Sequence, residues 1–190
     1  MRERQRNRQI IMAFSAVLAV SFALAPAVAA QENEQVVEVK SVLAKDAVRP
    51  GETFKAAVIL KVQAGYHIND NAPLDEFLFP TSVSIEDGPE FEVVEIYYPA
   101  GRRARYSYSE TELVVYDGEA VLGVLLKAKD GLAPGARTVK AILSYQACDN
   151  TSCLPPKELV FEIAVPVANT GGADIHAEIF GKLRFKSLQK

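Results

Sequence analysis

Short hydrophobic runs, several of which alternate imperfectly with polar residues, recur along most of the chain, and this pattern predicts β-strands. The runs are rich in β-branched and aromatic residues. They cover residues 36–40, 53–62, 91–98, 113–116, 119–127, 138–146 and 159–167. Turn dipeptides stand between several runs, and we expect Asp117-Gly118 to form a tight hairpin between the strands that flank it. Strands at this spacing, with hardly any helical periodicity, predict an all-β antiparallel sandwich.

The end of the chain departs from the strand pattern. Residues 169–172 form a short flexible link, and residues 173–183 follow it. The apolar residues of this segment recur at helical spacing: Ile175, Ile179, Phe180 and Leu183. We therefore expect a short C-terminal helix that covers one edge of a sheet, with His176 facing the solvent.

The first thirty residues have the layout of a secretory signal peptide. Four arginines precede an uncharged run, and small residues follow Pro26. Cleavage near Ala30 predicts a signal peptide at 1–30, a sandwich domain at 31–168 and a tail or short helix at 169–190. The alternative is an uncleaved anchor, because residues 10–30 are nearly long enough to cross a bilayer.

The charge of the remaining chain excludes one class of partner. Residues 1–30 hold four of the 21 basic residues and one of the 24 acidic residues, which leaves 17 basic and 23 acidic residues and a net charge of −6. Proteins that bind nucleic acid through its phosphates need an excess of lysine and arginine on one face. We therefore expect no nucleic-acid partner.

Both cysteines of the chain lie within one short segment, Y-Q-A-C-D-N-T-S-C-L-P-P at residues 145–156. In an oxidising compartment such a pair is normally bridged, and the polar residues between Cys148 and Cys153 favour a turn. Closing so small a ring stabilises a fold by only about 2 kcal/mol. The spacing therefore leaves a redox-active and a structural bridge equally open. A zinc site is less favoured, because two cysteines without a nearby histidine supply only half of a tetrahedral ligand set.

The residues beside the cysteines do not predict an unusually acidic thiol. Asp149 follows Cys148 directly, and a nearby carboxylate disfavours the thiolate. We therefore expect the disulfide to be attacked by the activated thiolate of a partner. Asp149 is a candidate for holding or moving a proton near Cys148, and a plain turn role explains it equally well.

The cysteine segment, together with G-Y-H-I-N at residues 65–69, resembles the N-terminal periplasmic domain of the thiol:disulfide interchange protein DsbD. The resemblance extends over approximately residues 36–167. It implies an immunoglobulin-like sandwich in the periplasm, with the cysteines on neighbouring strands at one end. It further implies that Cys153 forms the mixed disulfide with a partner and that Cys148 resolves it.

The same resemblance implies a loop that shields the disulfide until a partner docks. The candidate is the stretch at residues 102–110, in which Tyr106 or Tyr108 would supply the shielding ring; a solvated hairpin is the alternative. Tyr66, His67 and Asn69 are candidate neighbours of the cysteines that help proton transfer, and the alternative for them is a strand end followed by a turn.

These expectations lead to one functional hypothesis and one main alternative. The hypothesis is a periplasmic thiol-disulfide exchange module with possible interchange activity. Its implied partners are a thioredoxin-like or membrane-embedded thiol reductase and periplasmic thiol-disulfide proteins. No cofactor is implied, because the cysteines themselves carry the two electrons. The alternative is a non-catalytic binding module with a structural disulfide. A copper-handling protein is less favoured, since the chain lacks methionine clusters and histidine pairs.

Overall fold

β-strands are the main regular elements of the described chain, which comprises residues 35–86 and 88–189 of a computed structural model. In chain order they are β1 Val37–Leu43, β2 Thr53–Val62, β3 His67–Asn69, β4 Ser82–Ile85, β5 Phe91–Tyr97, β6 Arg102–Ala104, β7 Leu113–Tyr116, β8 Glu119–Ala128, β9 Gly135–Tyr145, β10 Ala147–Cys148 and β11 Lys157–Val167. The helix α1, Ala177–Phe180, and a 3-10 turn, Lys186–Leu188, follow β11. The predicted signal segment lies outside the described residues. No helix within them is long and apolar enough to cross a membrane.

The strands form three antiparallel sheets. The first has the order β1-β2-β8-β5, the second β11-β9-β4, and the third, which is built from short strands, β10-β3-β7-β6. All seven strands predicted from the sequence are present, with small differences at their ends. Four short strands were not predicted: β3, β4, β6 and β10. Two to four residues are too few to show an alternating pattern, and β7, which is equally short, was predicted only because all four of its residues are apolar or aromatic.

The core fills the space between the sheets, as expected for a sandwich. Alternate residues of β2 and β8 face inward, among them Leu60, Leu122 and Val124, which are fully buried. They belong to one hydrophobic cluster with Leu143 of β9 and Ile163 of β11. The period of two follows from the strand geometry, which points successive side chains to opposite faces.

Asp117-Gly118 does not make the hairpin that the sequence predicts. The strand before it, β7, pairs with β3 and β6, whereas the strand after it, β8, pairs with β2 and β5. The turn therefore carries the chain from one sheet to another. Gly118 has a φ of 60° and its carbonyl accepts a hydrogen bond from Val62 N. A turn dipeptide identifies the reversal but not the strands that pair across it.

The C-terminal segment contains the expected short helix but covers more than a sheet edge. Residues 173–175 make backbone hydrogen bonds with residues 44–46, which follow β1. Beyond α1, the chain lies on the outer face of the first sheet, where Phe180, Leu183 and Phe185 form a second cluster with residues of β2 and β8. The helix is only four residues long because this packing, not helical periodicity, determines the path of the segment. His176 is exposed, as expected.

One close contact holds this C-terminal layer in place. Phe185 is 2% exposed, and its ring lies over Gly123 in β8 so closely that a Cβ at position 123 would come within 2.6 Å of the ring atom Cζ. The two carboxylate oxygens of Glu95 accept the backbone N–H groups of Lys186 and Ser187, each at 2.8 Å. The segment after β11 is therefore a third packed layer of the domain.

This contact predicts a measurable coupling between Gly123 and Phe185. Phe185→Ala should lower the free energy of unfolding by about 3–5 kcal/mol, because it leaves a cavity. Gly123→Ala should cost about 1–3 kcal/mol through overpacking. The second substitution should cost at least about 1 kcal/mol less in the Phe185→Ala background, where the clash is absent. Denaturant unfolding of the four proteins measures the coupling.

Leu188→Ala is the control, because Leu188 is half exposed and should change stability by no more than about 0.5 kcal/mol. Strictly additive effects of Gly123→Ala and Phe185→Ala would contradict the packing described.

Candidate functional site

The two cysteines form a disulfide across a tight turn at one end of the sandwich. Cys148 ends β10, and Cys153 lies opposite it as an isolated antiparallel bridge. Their sulfurs are bonded, and their Cα atoms are 3.9 Å apart. The bridge predicted from the sequence is therefore confirmed. We call residues 148–153 the disulfide turn.

The carboxylate of Asp149 organises the disulfide turn from within. Its Oδ1 accepts hydrogen bonds from the backbone N–H of Thr151 at 2.7 Å, from the Thr151 hydroxyl at 2.9 Å and from the backbone N–H of Ser152 at 2.8 Å. These donors, the Thr151 N–H first among them, hold the pKa of the Asp149 carboxyl below its ordinary value. A carboxylate engaged in this way stabilises the turn, which favours the turn role over proton transfer.

The two halves of the disulfide differ in exposure. Cys148 is fully buried, whereas Cys153 is an exposed residue. The burial of Cys148 follows from its position in β10, which pairs with β3 and places Ala147 opposite Ile68 and Cys148 opposite His67. On the other side of the turn, Leu154 N donates to the Ala147 carbonyl at 2.8 Å. A reagent coming from solvent therefore meets the Cys153 half of the bridge.

His67 stands next to the buried cysteine. Residues directly opposite each other in an antiparallel pair have their side chains on the same face, with Cβ atoms about 4.5–5.5 Å apart. The His67 residue is only 2% exposed, and burial lowers its pKa to about 4. The imidazole is therefore neutral at neutral pH, because desolvation disfavours its charged form.

Residues 105–112, between β6 and β7, form a loop that folds back over His67; we call it the tyrosine loop. The Tyr106 ring stacks on the imidazole with centroids 3.8 Å apart and an angle of 12° between the planes. Tyr108 lies nearly parallel to His67, and its hydroxyl shares a 2.7 Å hydrogen bond with Nε2. Burial raises the pKa of Tyr108 to about 12, so both partners of this hydrogen bond are neutral.

The tyrosine loop also contacts the disulfide turn directly. The Ser107 hydroxyl donates a 2.6 Å hydrogen bond to the carbonyl of Asn150. At the base of the loop Arg102 forms an ion pair with Asp117, and its Nη2 lies 3.5 Å from the Tyr106 hydroxyl. The candidate stretch at residues 102–110 contains both Arg102 and Ser107, but the sequence did not predict the contact of Ser107 with Asn150. Neither residue carries a local signal, because their contact joins segments 43 residues apart.

The predicted site residues are thus only partly brought together. His67, Tyr106 and Tyr108 form one stack beside Cys148. The side chain of Asn69 instead donates to the carbonyl of Phe79 at 2.9 Å and helps to hold the loop after β3. Tyr66 packs partly against the main hydrophobic core and also lines a cavity with His67, Tyr106 and Asn150. These contacts favour a structural role for Asn69 and place Tyr66 beside the site.

Fold and site together define an immunoglobulin-like β-sandwich with a disulfide at one end and an aromatic loop beside it. The family described as "Thiol:disulfide interchange protein DsbD, N-terminal" matches residues 33–165, and the chain belongs to this family. The resemblance drawn from the cysteine motif is thereby confirmed.

One solved structure agrees with this assignment at the level of fold. The N-terminal periplasmic domain of ScsB from Proteus mirabilis is 11% identical, with a TM-score of 0.50 over 79% of this chain and 53% of that chain. The N-terminal domain of DsbD from Neisseria meningitidis in the reduced form is 18% identical, with a TM-score of 0.41 over 67% of this chain and 85% of that chain. Comparison with curated protein sequences gives no match.

The role of Asp149 in the disulfide turn can be tested by the equilibrium of the disulfide with glutathione. Asp149→Ala removes three hydrogen bonds that hold the two cysteines close, so reduction should become easier by roughly tenfold in the equilibrium constant. Asp149→Asn keeps a carbonyl oxygen at the same place and should stay close to the unsubstituted protein. Equal equilibria for Asp149→Ala and the unsubstituted protein would contradict the assigned role.

Proposed function

We propose that the chain is an exported module that exchanges its Cys148–Cys153 disulfide with other thiol proteins. In this role it passes electrons between a thioredoxin-like or membrane-embedded reductase and thiol proteins of the periplasm. Membership of the DsbD N-terminal family supports the class of reaction. The observation that carries the proposal is the disulfide itself, which has one exposed and one fully buried cysteine.

The difference in exposure supports Cys153 as the sulfur that meets the partner. A partner thiolate attacks the Cys153 sulfur, the Cys148–Cys153 bond breaks, and Cys148 leaves as a thiolate that takes up a proton. A second thiolate of the partner then attacks the partner's own sulfur in the mixed disulfide and releases Cys153. The partner dithiol is oxidised to a disulfide, and this chain gains two electrons. The reverse sequence reduces the disulfide of a client, with Cys148 resolving the mixed disulfide.

The surroundings of the cysteines support activation by the partner. A thiolate is stabilised by a nearby cation or a helix N-terminus. Around this disulfide His67 is neutral, and Arg102 is already paired with Asp117. With a pKa near 4, His67 is also a weak base, so proton transfer is a minor part of the role proposed for it.

The tyrosine loop is proposed as the shield of the buried half of the site. A disulfide open to every thiol would be reduced by unspecific partners. Tyr106 and Tyr108 lie over His67, the strand partner of Cys148, and Ser107 ties the loop to the disulfide turn. Docking of a partner would displace the loop and uncover the Cys148 half of the disulfide.

We further propose that the protein is exported and that its chain divides into three segments. Residues 1–30 would act as a signal peptide, residues 31–168 as the exchange domain, and residues 169–190 as a tail that packs on it. The packing of Phe180, Leu183 and Phe185 on the first sheet supports a tail that folds with the domain.

The assignment of Cys153 predicts an asymmetry in covalent capture. Cys148→Ser, which keeps Cys153, should trap a thioredoxin-like protein whose own resolving cysteine has been removed. Capture should be at least about tenfold greater than with Cys153→Ser, because the remaining Cys148 thiol is buried. Non-reducing gels and mass spectrometry of the mixed disulfide measure both yields.

The protein with both cysteines changed to serine is the control for unspecific capture. Equal trapping by the two single variants, or trapping by Cys153→Ser alone, would reverse the assignment of roles.

The reduction potential separates the proposal from a structural disulfide in a binding module. An exchange module should equilibrate with a glutathione buffer and have a potential above about −300 mV. Quantitative alkylation of the two thiols across a range of glutathione ratios gives this potential. A value well below about −300 mV, with no capture of thiol partners, would support the structural alternative.

A further inference from the structure

The two aromatic side chains of the tyrosine loop both contact one histidine, His67. One face of the His67 ring stacks against Tyr106, and its Nε2 is hydrogen-bonded to the Tyr108 hydroxyl. The Tyr106 and Tyr108 rings lie 5.7 Å apart and within 13° of parallel. Both tyrosines are half-buried while His67 is only 2% exposed, so the loop itself excludes water from the imidazole.

We propose that the tyrosine loop is a proton-sensitive cap, held closed by neutral His67 and released when His67 takes up a proton. This inference rests on the proposed exchange function, since the cap covers the Cys148 half of the disulfide that exchanges. In it His67 is a positioning residue: it acts on the reaction through the loop, not by contact with a substrate.

The direction in which pH changes the stability of the closed loop follows from the His67 pKa in the closed and the open form. With the loop closed, burial holds the pKa of His67 at about 4; with the loop open, the imidazole is hydrated and its pKa returns toward the ordinary value of 6.5. The open form therefore binds more protons, and the closed form loses stability as the pH falls from about 6.5 toward 4. Above pH 6.5 His67 is neutral in both forms, and the cap has its full stability.

Other charged groups near His67 change its pKa, but their effect is smaller than that of burial. The Asp117 carboxylate, in the turn after β7, and the Asp149 carboxylate, in the disulfide turn, favour the protonated imidazole. Arg102 of β6 opposes it and is itself paired with Asp117. Tyr106 and Tyr108 of the loop are neutral, because burial raises the pKa of each. Desolvation remains the largest influence on His67.

The loop has a second attachment that connects its position to the disulfide. The Ser107 hydroxyl donates to the carbonyl of Asn150, which belongs to the disulfide turn. Opening the loop breaks this hydrogen bond together with the His67–Tyr108 hydrogen bond and the stack. Release of the cap thus uncovers the strand partner of Cys148 and frees the turn in the same step.

The rate at which iodoacetamide alkylates Cys148 tests the proposal, because Cys148 is the buried cysteine whose strand partner the loop covers. All proteins compared in this test carry Cys153→Ser, and the one without a further change is the unsubstituted reference. Dividing the rate of a protein without the aromatic cap, Tyr106→Ala/Tyr108→Ala, by that of the reference gives a protection ratio. The pH dependence of thiol ionisation is common to both proteins and cancels in this ratio. Between pH 7.5 and pH 5 the ratio should fall by up to roughly 30-fold, as expected for one group whose pKa is about 4 when closed and 6.5 when open.

Two matched variants identify the responsible histidine. His67→Gln keeps a hydrogen-bonding side chain but cannot titrate, so its ratio should be independent of pH. His176→Gln removes the other histidine of the chain, which is exposed, and its ratio should fall as in the unsubstituted protein. A flat ratio in the unsubstituted protein, or an equal fall in His67→Gln, would overturn the proton-sensitive cap.

An NMR titration of the unsubstituted protein supplies a readout that needs no variant of His67. The imidazole resonances should report a pKa well below 6.5, and in Tyr106→Ala/Tyr108→Ala this pKa should rise. A His67 pKa of 6 or above in the unsubstituted protein overturns the proposal. Covalent capture by Cys153 is measured separately, so failure of the cap is distinguishable from failure of the exchange function.

Discussion

The pairing of two short strands, β10 and β3, determines the character of the site. It places Cys148 opposite His67 and buries both. Because one cysteine belongs to a strand and the other lies beyond the turn, the two halves of the bridge have unequal access to solvent. The tyrosine loop then packs against a ring that this pairing has already fixed. Without the pairing of β10 with β3, Cys148 would not be buried and the tyrosine loop would have no fixed His67 ring to pack against.

The site is built from neutral groups, and this has a chemical consequence. The imidazole and the two phenols are held neutral by burial, while the nearby charges are engaged with one another or within the turn. A buried neutral environment does not stabilise a thiolate. In the exchange reaction we propose, activation therefore comes from the partner, and the protein contributes access, geometry and exclusion of water. Such a division of roles suits a module that must react with selected proteins and resist others.

The sandwich supplies a rigid frame for these short elements. Its long strands bury a continuous core on one side of the first sheet, and the C-terminal segment covers the other side. The contact of Phe185 with Gly123 shows how close this outer packing is. Loops that carry a site need such a frame, because their own backbone contacts are few. The disulfide turn and the tyrosine loop each depend on it for their position.

Long strands, the turn dipeptides and the disulfide could be predicted from the sequence, because each depends on residues close together in the chain. Alternation identified β2 and β8, and four intervening residues were enough to predict the bridge between Cys148 and Cys153. The partners of Asp117-Gly118, the burial of Cys148 and the contact of Ser107 with Asn150 could not be predicted in this way. They arise from pairings between distant segments, for which a local pattern carries no signal. The depressed pKa of His67 belongs to the same class, since it depends on which side chains exclude water from the ring.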